Sequence, residues 1–303
     1  MDDGTGPSII ATLDEARERF LALVADVRPD LHRYCARMTG SVSDGEDVVQ
    51  DTLARAYYQL PELHELPPLR PWLFRIAHNR AIDHLRRGAY RTTEAIDAAD
   101  GIADDSEREP ESALVRRQAV EAALASFLAL APAQRACVIL KDVLDHSHEE
   151  IAALLELSVP AVKSALHRGR ALLPEHAAAA PTAAARPVSA ALARYATLFN
   201  AHDFDAVRAL LADDVRLDLV SRRKADGRRA VGSYFSNYGR HDDWRATPAW
   251  LEGREVLAVT SVGPEARPDY FIELTWRGQQ VRAIRDFRYV AYIVRDTPLV
   301  RPG

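Results

Sequence analysis

The sequence predicts a multidomain chain: two all-α domains, the second built around a helix-turn-helix, followed by an α+β domain with a curved antiparallel sheet. Three observations carry this. Apolar residues recur at helical spacing from Leu13 to Leu173, two stretches poor in large apolar residues interrupt the chain, and after Trp244 the pattern changes to strand-like alternation. The resulting boundaries are residues 10–91, an acidic linker over 92–112, 113–175, an Ala/Pro linker over 176–187, and 188–299.

The first helical pattern runs from Leu13 to Met38, with Phe20, Leu21, Val24, Leu31 and Tyr34 inward, a break or restart at Pro29 and a stop at Gly40. The next helix is expected to open with a capping box from Ser43 to Glu46. Val48, Val49, Leu53, Ala56, Tyr57 and Leu60 form its inner stripe, leaving Asp44, Asp47, Gln50, Asp51 and Arg55 outside. Acids at a helix N-terminus also serve the macrodipole, so composition alone leaves both stabilisation and a docking face open. A proline-rich connection, 61–71, leads into a third helix with Trp72, Leu73, Ile76, Ala77, Ile82 and Leu85 inward. Arg75, His78, Asn79, Arg80, Asp83, Arg86 and Arg87 occupy its other faces. Six arginines stand against the single acid Asp83 between Arg70 and Arg91, which suits phosphate contact and stacking on unpaired bases. Trp72 and Phe74 are expected in the core. From Thr92 to Ser112, eight acids and one arginine with few large apolar residues describe a solvated linker.

After helices over 112–130 and from Pro132, the stretch SHEEIAALLELSVPAVKSALHRGRALL, 147–173, reads as two helices joined by a tight turn. Ser147 and Glu150 form a capping box, and Ser158 caps a second helix beginning near Val159 with Pro160 in its first turn. Ser158, Lys163, Ser164, His167, Arg168 and Arg170 lie off the core face, residue types that reach phosphates and base edges from a major groove. A helical hairpin with a solvated basic face fits the same spacing. His146 and His148 lack a third ligand nearby, so no metal is expected.

A net charge of -5 excludes indiscriminate coating of nucleic acid and confines any DNA contact to local basic patches. Cys35 and Cys137 sit far apart in apolar helical patterns, giving neither a disulfide framework nor metal spacing. No apolar run approaches the ~18 residues of a membrane span, and the acidic start MDDGTGPSII lacks a signal-peptide core, so a cytoplasmic protein without membrane contact is expected.

Beyond AAAAPTAAARP, Leu192, Tyr195, Leu198 and Phe199 recur at helical spacing, then Val215, Leu217 and Leu219 alternate. GRRAVGSYFSNYG is a third helix of this domain. ATPAWLEG, REVLAVTSV, DYFIELTWRG and VRAIRDFRYVAYIV follow as strands. FNAHDFDAVRALLADDVRLDL and IRDFRY are similar to SnoaL-like proteins, whose cyclases and isomerases move a proton with a pocket acid or Asp/His pair. That resemblance implies Tyr195, His202, Asp218 and Asp286, with Trp244, as pocket candidates. A carboxylate there would be desolvated by Trp244, Trp250, Trp276 and Phe287 and able to act as a base. Asp286, between Arg285 and Arg288, has ion pairing as its alternative.

The order EDVVQDTLARAY, RPWLFRIAHNRAIDHLRR, an acidic linker, then the helix-turn-helix block resembles a bacterial RNA polymerase sigma factor of the extracytoplasmic-function class, over about residues 10–175. The resemblance implies that Asp44, Asp47, Gln50 and Asp51 dock on core RNA polymerase. It implies that Arg75, His78, Asn79, Arg80, Asp83, Arg86 and Arg87 read and help melt the minus-10 element, while Ser158, Lys163, Ser164, His167, Arg168 and Arg170 meet the minus-35 element. The linker acids would mimic RNA in the polymerase. Core RNA polymerase and promoter DNA are the implied partners, with no cofactor, metal or catalytic residue. FNAHDFDAVRALLADDVRLDL and IRDFRY resemble a SnoaL-like cone, which implies a regulatory domain and a small-molecule ligand held near Tyr195, Asp218, Trp244 and Asp286. The loop SRRKADGRR has one glycine where the best-known group of such extensions is glycine-rich.

Overall fold

The structure, a computed structural model, describes residues 18–65, 67–95, 127–177, 187–261 and 268–294. The expected acidic and Ala/Pro linkers lie mainly outside these residues. The described chain divides into two compact units, one formed by residues 18–95 and 127–177, the other by residues from 187 onward.

In the first unit a helical turn over 18–23 precedes α1 (Arg28–Thr39), which has proline in its first turn and ends where Gly40 takes φ 77 and donates its amide to Ala36. Helix α2 (Val42–Gln59) starts two residues earlier than the expected box: Ser41, in extended conformation, accepts from the Asp44 amide at 3.3 Å. Ser43 and Glu46 are buried instead, and Glu46 accepts a 2.6 Å hydrogen bond from Arg28. The local cap signal was therefore answered by the nearer serine, and the glutamate was recruited by a cation 18 residues away. Gly45 permits this packing, because a Cβ there would lie 2.6 Å from the backbone of Ala36.

Helix α3 (Leu69–Ala95) continues four residues past the expected boundary at 91. Helix α4 (Pro132–Val138) runs on into a π turn, Ile139–Val143, and α5 (His148–Leu155) and α6 (Val159–Ala177) form the helix-turn-helix. Residues expected to build two helical domains share one buried cluster, from Phe20, Leu31, Tyr34 and Phe74 to Leu140, Ile151 and Leu166. Arg135, 4 % exposed, ties them: its guanidinium donates to the carbonyls of Met38, Leu128 and Leu130 at 2.5, 2.7 and 3.0 Å. The Phe74 ring meets His146 edge-on at 5.5 Å across the same seam.

The second unit opens with α7 (Ala190–Asn200), capped by Ser189, and α8 (Phe204–Ala209), capped by Asp203. Strands β1 (Leu211–Leu219), β2 (Arg223–Asp226), β3 (Trp244–Leu251), β4 (Arg254–Ser261), β5 (Tyr270–Arg277) and β6 (Gln280–Asp286) make one open sheet in the order β2-β1-β6-β5-β4-β3. The single helix expected from GRRAVGSYFSNYG is two short ones, α9 (Arg228–Gly232) and α10 (Phe235–Tyr238). The last strand stops at Asp286 rather than running to Val294; a 3-10 turn, Ala291–Val294, takes its place.

The expectation of an all-antiparallel sheet is corrected at one pairing. β3 to β6 form an antiparallel meander and β1 pairs antiparallel with β2, but β1 and β6 run parallel. β1 is laid down before the two short helices, and the meander returns beside it with its last strand pointing the same way. Tyr195 and Phe199 of α7, Phe204 of α8, and Tyr234, Phe235 and Tyr238 fill one face of the sheet against Leu217, Leu257, Ile272 and Ile284.

Candidate nucleic-acid interface

The helix-turn-helix is built from local chemistry. Ser147 Oγ accepts from the Glu150 amide at 3.1 Å while Glu150 accepts from the Ser147 amide at 2.7 Å, a complete capping box that holds the Glu150 carboxyl below its usual range. Glu156 closes α5 with φ 56, and Ser158 Oγ accepts from the Ala161 amide at 3.3 Å to start α6. Val162, Ala165 and Leu166 are buried, and at Gly169 a Cβ would stand 2.8 Å from Val138. That close approach fixes which face of α6 looks outward.

Ser158, Lys163, Ser164, His167, Arg168 and Arg170 are all exposed on that outward face. They are not equivalent. Arg168 donates to Ser164 Oγ at 2.6 Å, and Arg170 forms a two-point pair with Asp142 at 2.9 and 2.5 Å. That carboxylate raises the Arg170 pKa further and takes up two of its five donors. His148, treated in the sequence only as a metal candidate, lines one shallow groove with Lys163, Leu166, His167, Arg170 and Ala171. Its place at the start of α5, one capping residue from the turn, is the signal that could have found it.

On α3, Arg75, Asn79, Arg86 and Arg87 are exposed, whereas Trp72 and Phe74 are core. Three expected minus-10 residues are occupied elsewhere. His78 Nδ1 lies 2.7 Å from the Tyr34 hydroxyl, and burial lowers its pKa. Arg80 pairs with Asp83 on its own helix and, at 3.3 Å, with Asp51 of α2. The expected polymerase-docking set is drawn into the same stitching: Asp44 lies 3.8 Å from His84, so Asp44 and Asp51 face bases of α3. Asp47 is exposed, while Gln50 is half-buried with an amide nitrogen that is buried and lacks a hydrogen-bond partner. Acidic and basic faces that the sequence separates by some thirty residues thus adjoin at the α2–α3 seam.

The pocket expected from Tyr195, Asp218, Trp244 and Asp286 is not assembled as one site. Asp286 is fully buried; its Oδ2 accepts from the hydroxyls of Tyr234 and Tyr238, both at 2.7 Å, and its Oδ1 from the Arg288 amide at 2.9 Å. Desolvation raises its pKa despite those donors. Tyr270 extends the cluster through a 2.9 Å contact with Tyr238, and the Tyr195 hydroxyl is buried without a partner. Asp218 is on the other face of β1, beside Lys224 and Arg285 at 3.9 and 3.8 Å. Inward alternation of Val215, Leu217 and Leu219 obliges Asp218 to point away, so the sequence contained this correction. Trp244 is half-buried, stacked on His202 at 5.1 Å and packed against Phe199 and Tyr238. Asp286 therefore belongs to a tyrosine network rather than to an ion pair.

Among the described residues no group of three or more His, Cys, Asp or Glu side chains could hold a metal ion, and no helix is long and apolar enough to cross a membrane. Cys35 and Cys137 are buried free thiols, both pushed upward by desolvation.

The family model for Sigma-70 region 2 matches residues 23–91, and that for Sigma-70, region 4 matches residues 120–173. The ECF RNA polymerase sigma factor SigG of Mycobacterium tuberculosis is 34% identical over 217 residues, an alignment covering 63% of this chain. This chain spans 59% of the length of SigG. The ECF RNA polymerase sigma factor SigL of the same organism is 34% identical over 139 residues, covering 45% of this chain and 76% of SigL. Among solved structures, the Mycobacterium tuberculosis extracytoplasmic function sigma factor SigJ is similar with a TM-score of 0.36 and 20% identity, over 91% of this chain and 100% of that one.

Proposed function

Because the chain belongs to the extracytoplasmic-function class of the sigma-70 family of RNA polymerase sigma factors, we propose that it binds core RNA polymerase and directs promoter recognition, melting and transcription initiation. The observation that carries this reading is the exposed face of α6, where Lys163, His167 and Arg168 project from a helix whose opposite side is locked into the core. A basic second helix presented this way fits a major groove, with phosphate contacts setting position and side-chain forks reading base edges. Arg75, Asn79, Arg86 and Arg87 on α3 supply the second contact, at the minus-10 element. They favour separated strands through charge and stacking, so initiation needs no bond-making by the protein itself. Asp47 and Gln50 form the centre of the polymerase-docking face. Asp44 and Asp51 flank it, beside His84 and Arg80 of α3.

We assign the C-terminal unit, a SnoaL-like domain in this reading, a modulating role over initiation. One observation favours ligand sensing as its means: the buried Tyr195 hydroxyl has no partner beside an Asp286 carboxyl held by two tyrosines, leaving hydrogen-bonding capacity for a small polar guest. The reading does not make the protein an enzyme.

The test is reconstitution. Purified protein mixed with core RNA polymerase is expected to direct transcription from a promoter selected with the two together, and Lys163→Ala with Arg168→Ala to lower it at least tenfold. Failure to co-purify with core and to initiate from any selected promoter would overturn the proposal.

A further inference from the structure

Two loops distant in sequence meet at one end of the C-terminal sheet. β1 and β6 finish side by side, with Leu219 opposite Asp286, because they are parallel. The chain leaves β1 through Val220, whose amide donates to the Asp286 carbonyl at 3.0 Å, and turns at Ser221 with φ 70 before β2 begins at Arg223. It leaves β6 through residues 287–290. Arg222 from the first loop, Arg223 at the start of β2, and Arg288 and Tyr289 from the second loop are exposed. The Arg222 guanidinium lies over the Tyr289 ring, 5.7 Å from its centre, and Tyr289 keeps half of its surface in solvent.

This rim carries an excess of positive charge. The bases on the neighbouring surface are paired, Lys224 with Asp218, Arg228 with Asp213, Arg277 with Asp214 and Arg285 with Glu273. Arg222, Arg223 and Arg288 have no ion-pair partner among the described residues, although the Arg288 guanidinium also lies over the Tyr238 ring, 5.3 Å from its centre, in the field of Asp286. Of the acids at this end, Asp218 is held by Lys224 and Arg285, Glu273 by Arg285, and Asp286 is turned inward onto Tyr234 and Tyr238. Basic residues on an edge strand such as β2 guard against strand addition, which accounts for Arg223. That reason does not reach Arg288 and Tyr289, which follow the central strand β6.

We propose that this rim binds a nucleic-acid strand through its phosphodiester backbone, with Tyr289 stacking on an unpaired base. Three guanidinium forks on an open edge match successive phosphates, and an exposed aromatic ring backed by arginine is the platform on which single strands stack. The partner is an extended polyanion because the three cations are spread over two loops and the start of β2 and converge on no enclosed space. The inference is separate from the promoter contacts of α3 and α6. About three phosphates neutralised on a single strand give log K against log salt a slope near -2, so affinity falls roughly 20-fold between 50 and 200 mM salt.

The experiment uses the full-length protein without polymerase. A fluorescein-labelled single strand of mixed sequence about 20 nucleotides long, its duplex and a polyglutamate peptide of equal charge are titrated across salt. Arg222→Glu with Arg223→Glu and Arg288→Glu is expected to weaken single-strand binding at least tenfold and remove about two from the salt slope. Tyr289→Ala is expected to cost about tenfold on the single strand and little on the duplex. Lys163→Ala with Arg86→Ala, which touches only the helical readers, should leave the charge-reversal effect intact. A photoreactive residue at position 289 in an otherwise native chain should crosslink to the strand, which keeps the test open should the triple variant fail to fold. No crosslink at 289, an unchanged slope in the folded triple variant, or binding of polyglutamate in preference to the oligonucleotide would each overturn the proposal.

Discussion

Arg135 offers the sharpest test of what holds the helical unit together. Its guanidinium is 4 % exposed and donates to Met38 at the end of α1 and to Leu128 and Leu130 just ahead of α4. Methionine at this position keeps the length of the side chain and removes every donor, leaving three carbonyls to find other partners. Only the Met38 acceptor lies across the seam, since Leu128 and Leu130 are local to Arg135. One abandoned buried acceptor costs about 1–3 kcal/mol and water recovers part of it, so the packed arrangement should lose ~1.5 kcal/mol against the parted one. That is roughly a tenfold shift in the balance between packed and parted forms. Arg135→Lys keeps a charge but not the fork and should fall between the two. Dyes on cysteines placed at the exposed positions Asn79 and His167 report the separation by energy transfer, since native Cys35 and Cys137 are fully buried and resist labelling. The expected result is lower transfer with helical content preserved. Unchanged transfer together with a stability within about 0.5 kcal/mol of the native protein would refute the reasoning, as would collapse of the helices themselves.

Alanine at both Asp47 and Gln50 should weaken binding to core polymerase at least tenfold while helicity and promoter-duplex contacts persist; lost helicity would instead assign these residues to the helix. Lys163→Ala and Arg168→Ala should each cost about 1–3 kcal/mol in minus-35 duplex binding, and Arg170→Ala less at the DNA but more in melting temperature, because Asp142 already holds it. Equal losses at all three would sink that distinction. Acid should act on the two units with opposite sign. Burial holds His32, His78 and His146 below 6.5, so the stability of the helical unit is full above that pH and is lost as pH falls toward their folded values. Asp286 is raised above 3.8, so its own contribution to the C-terminal unit is full below that pH and is lost as pH rises through the folded value. Calorimetry at several pH values should resolve two transitions moving apart, and Asp286→Asn should flatten the second; parallel movement of both would contradict the assignment.

What the sequence disclosed was what depends on near neighbours. The capping box at Ser147 and Glu150, the Ser158 cap and the stop at Gly40 are set by residues within one turn, and each is found where its spacing places it. The start of α2 defied the same logic because Ser41 and Ser43 offer the same hydroxyl, and the choice turned on Glu46 being claimed by Arg28. Side-chain engagement was not legible at all where it crosses helices. Arg80 looked free until α2 brought Asp51 beside it, and His78 until Tyr34 arrived from α1. The parallel pairing of β1 with β6 is likewise a matter of strand order, which alternation does not encode. Asp218 is the opposite case, since its outward direction was implied by its apolar neighbours.

The shared core of the helical unit has a consequence in distance. A compact body of about 130 residues is ~36 Å across, whereas elements named for positions 35 and 10 lie ~85 Å apart along B-form DNA. If α6 and α3 make the two promoter contacts proposed above, they reach both only when the seam at Arg135 and Phe74 parts. Apolar surface uncovered by that parting subtracts from whatever affinity the polymerase and promoter provide, so a tighter seam makes a poorer initiator.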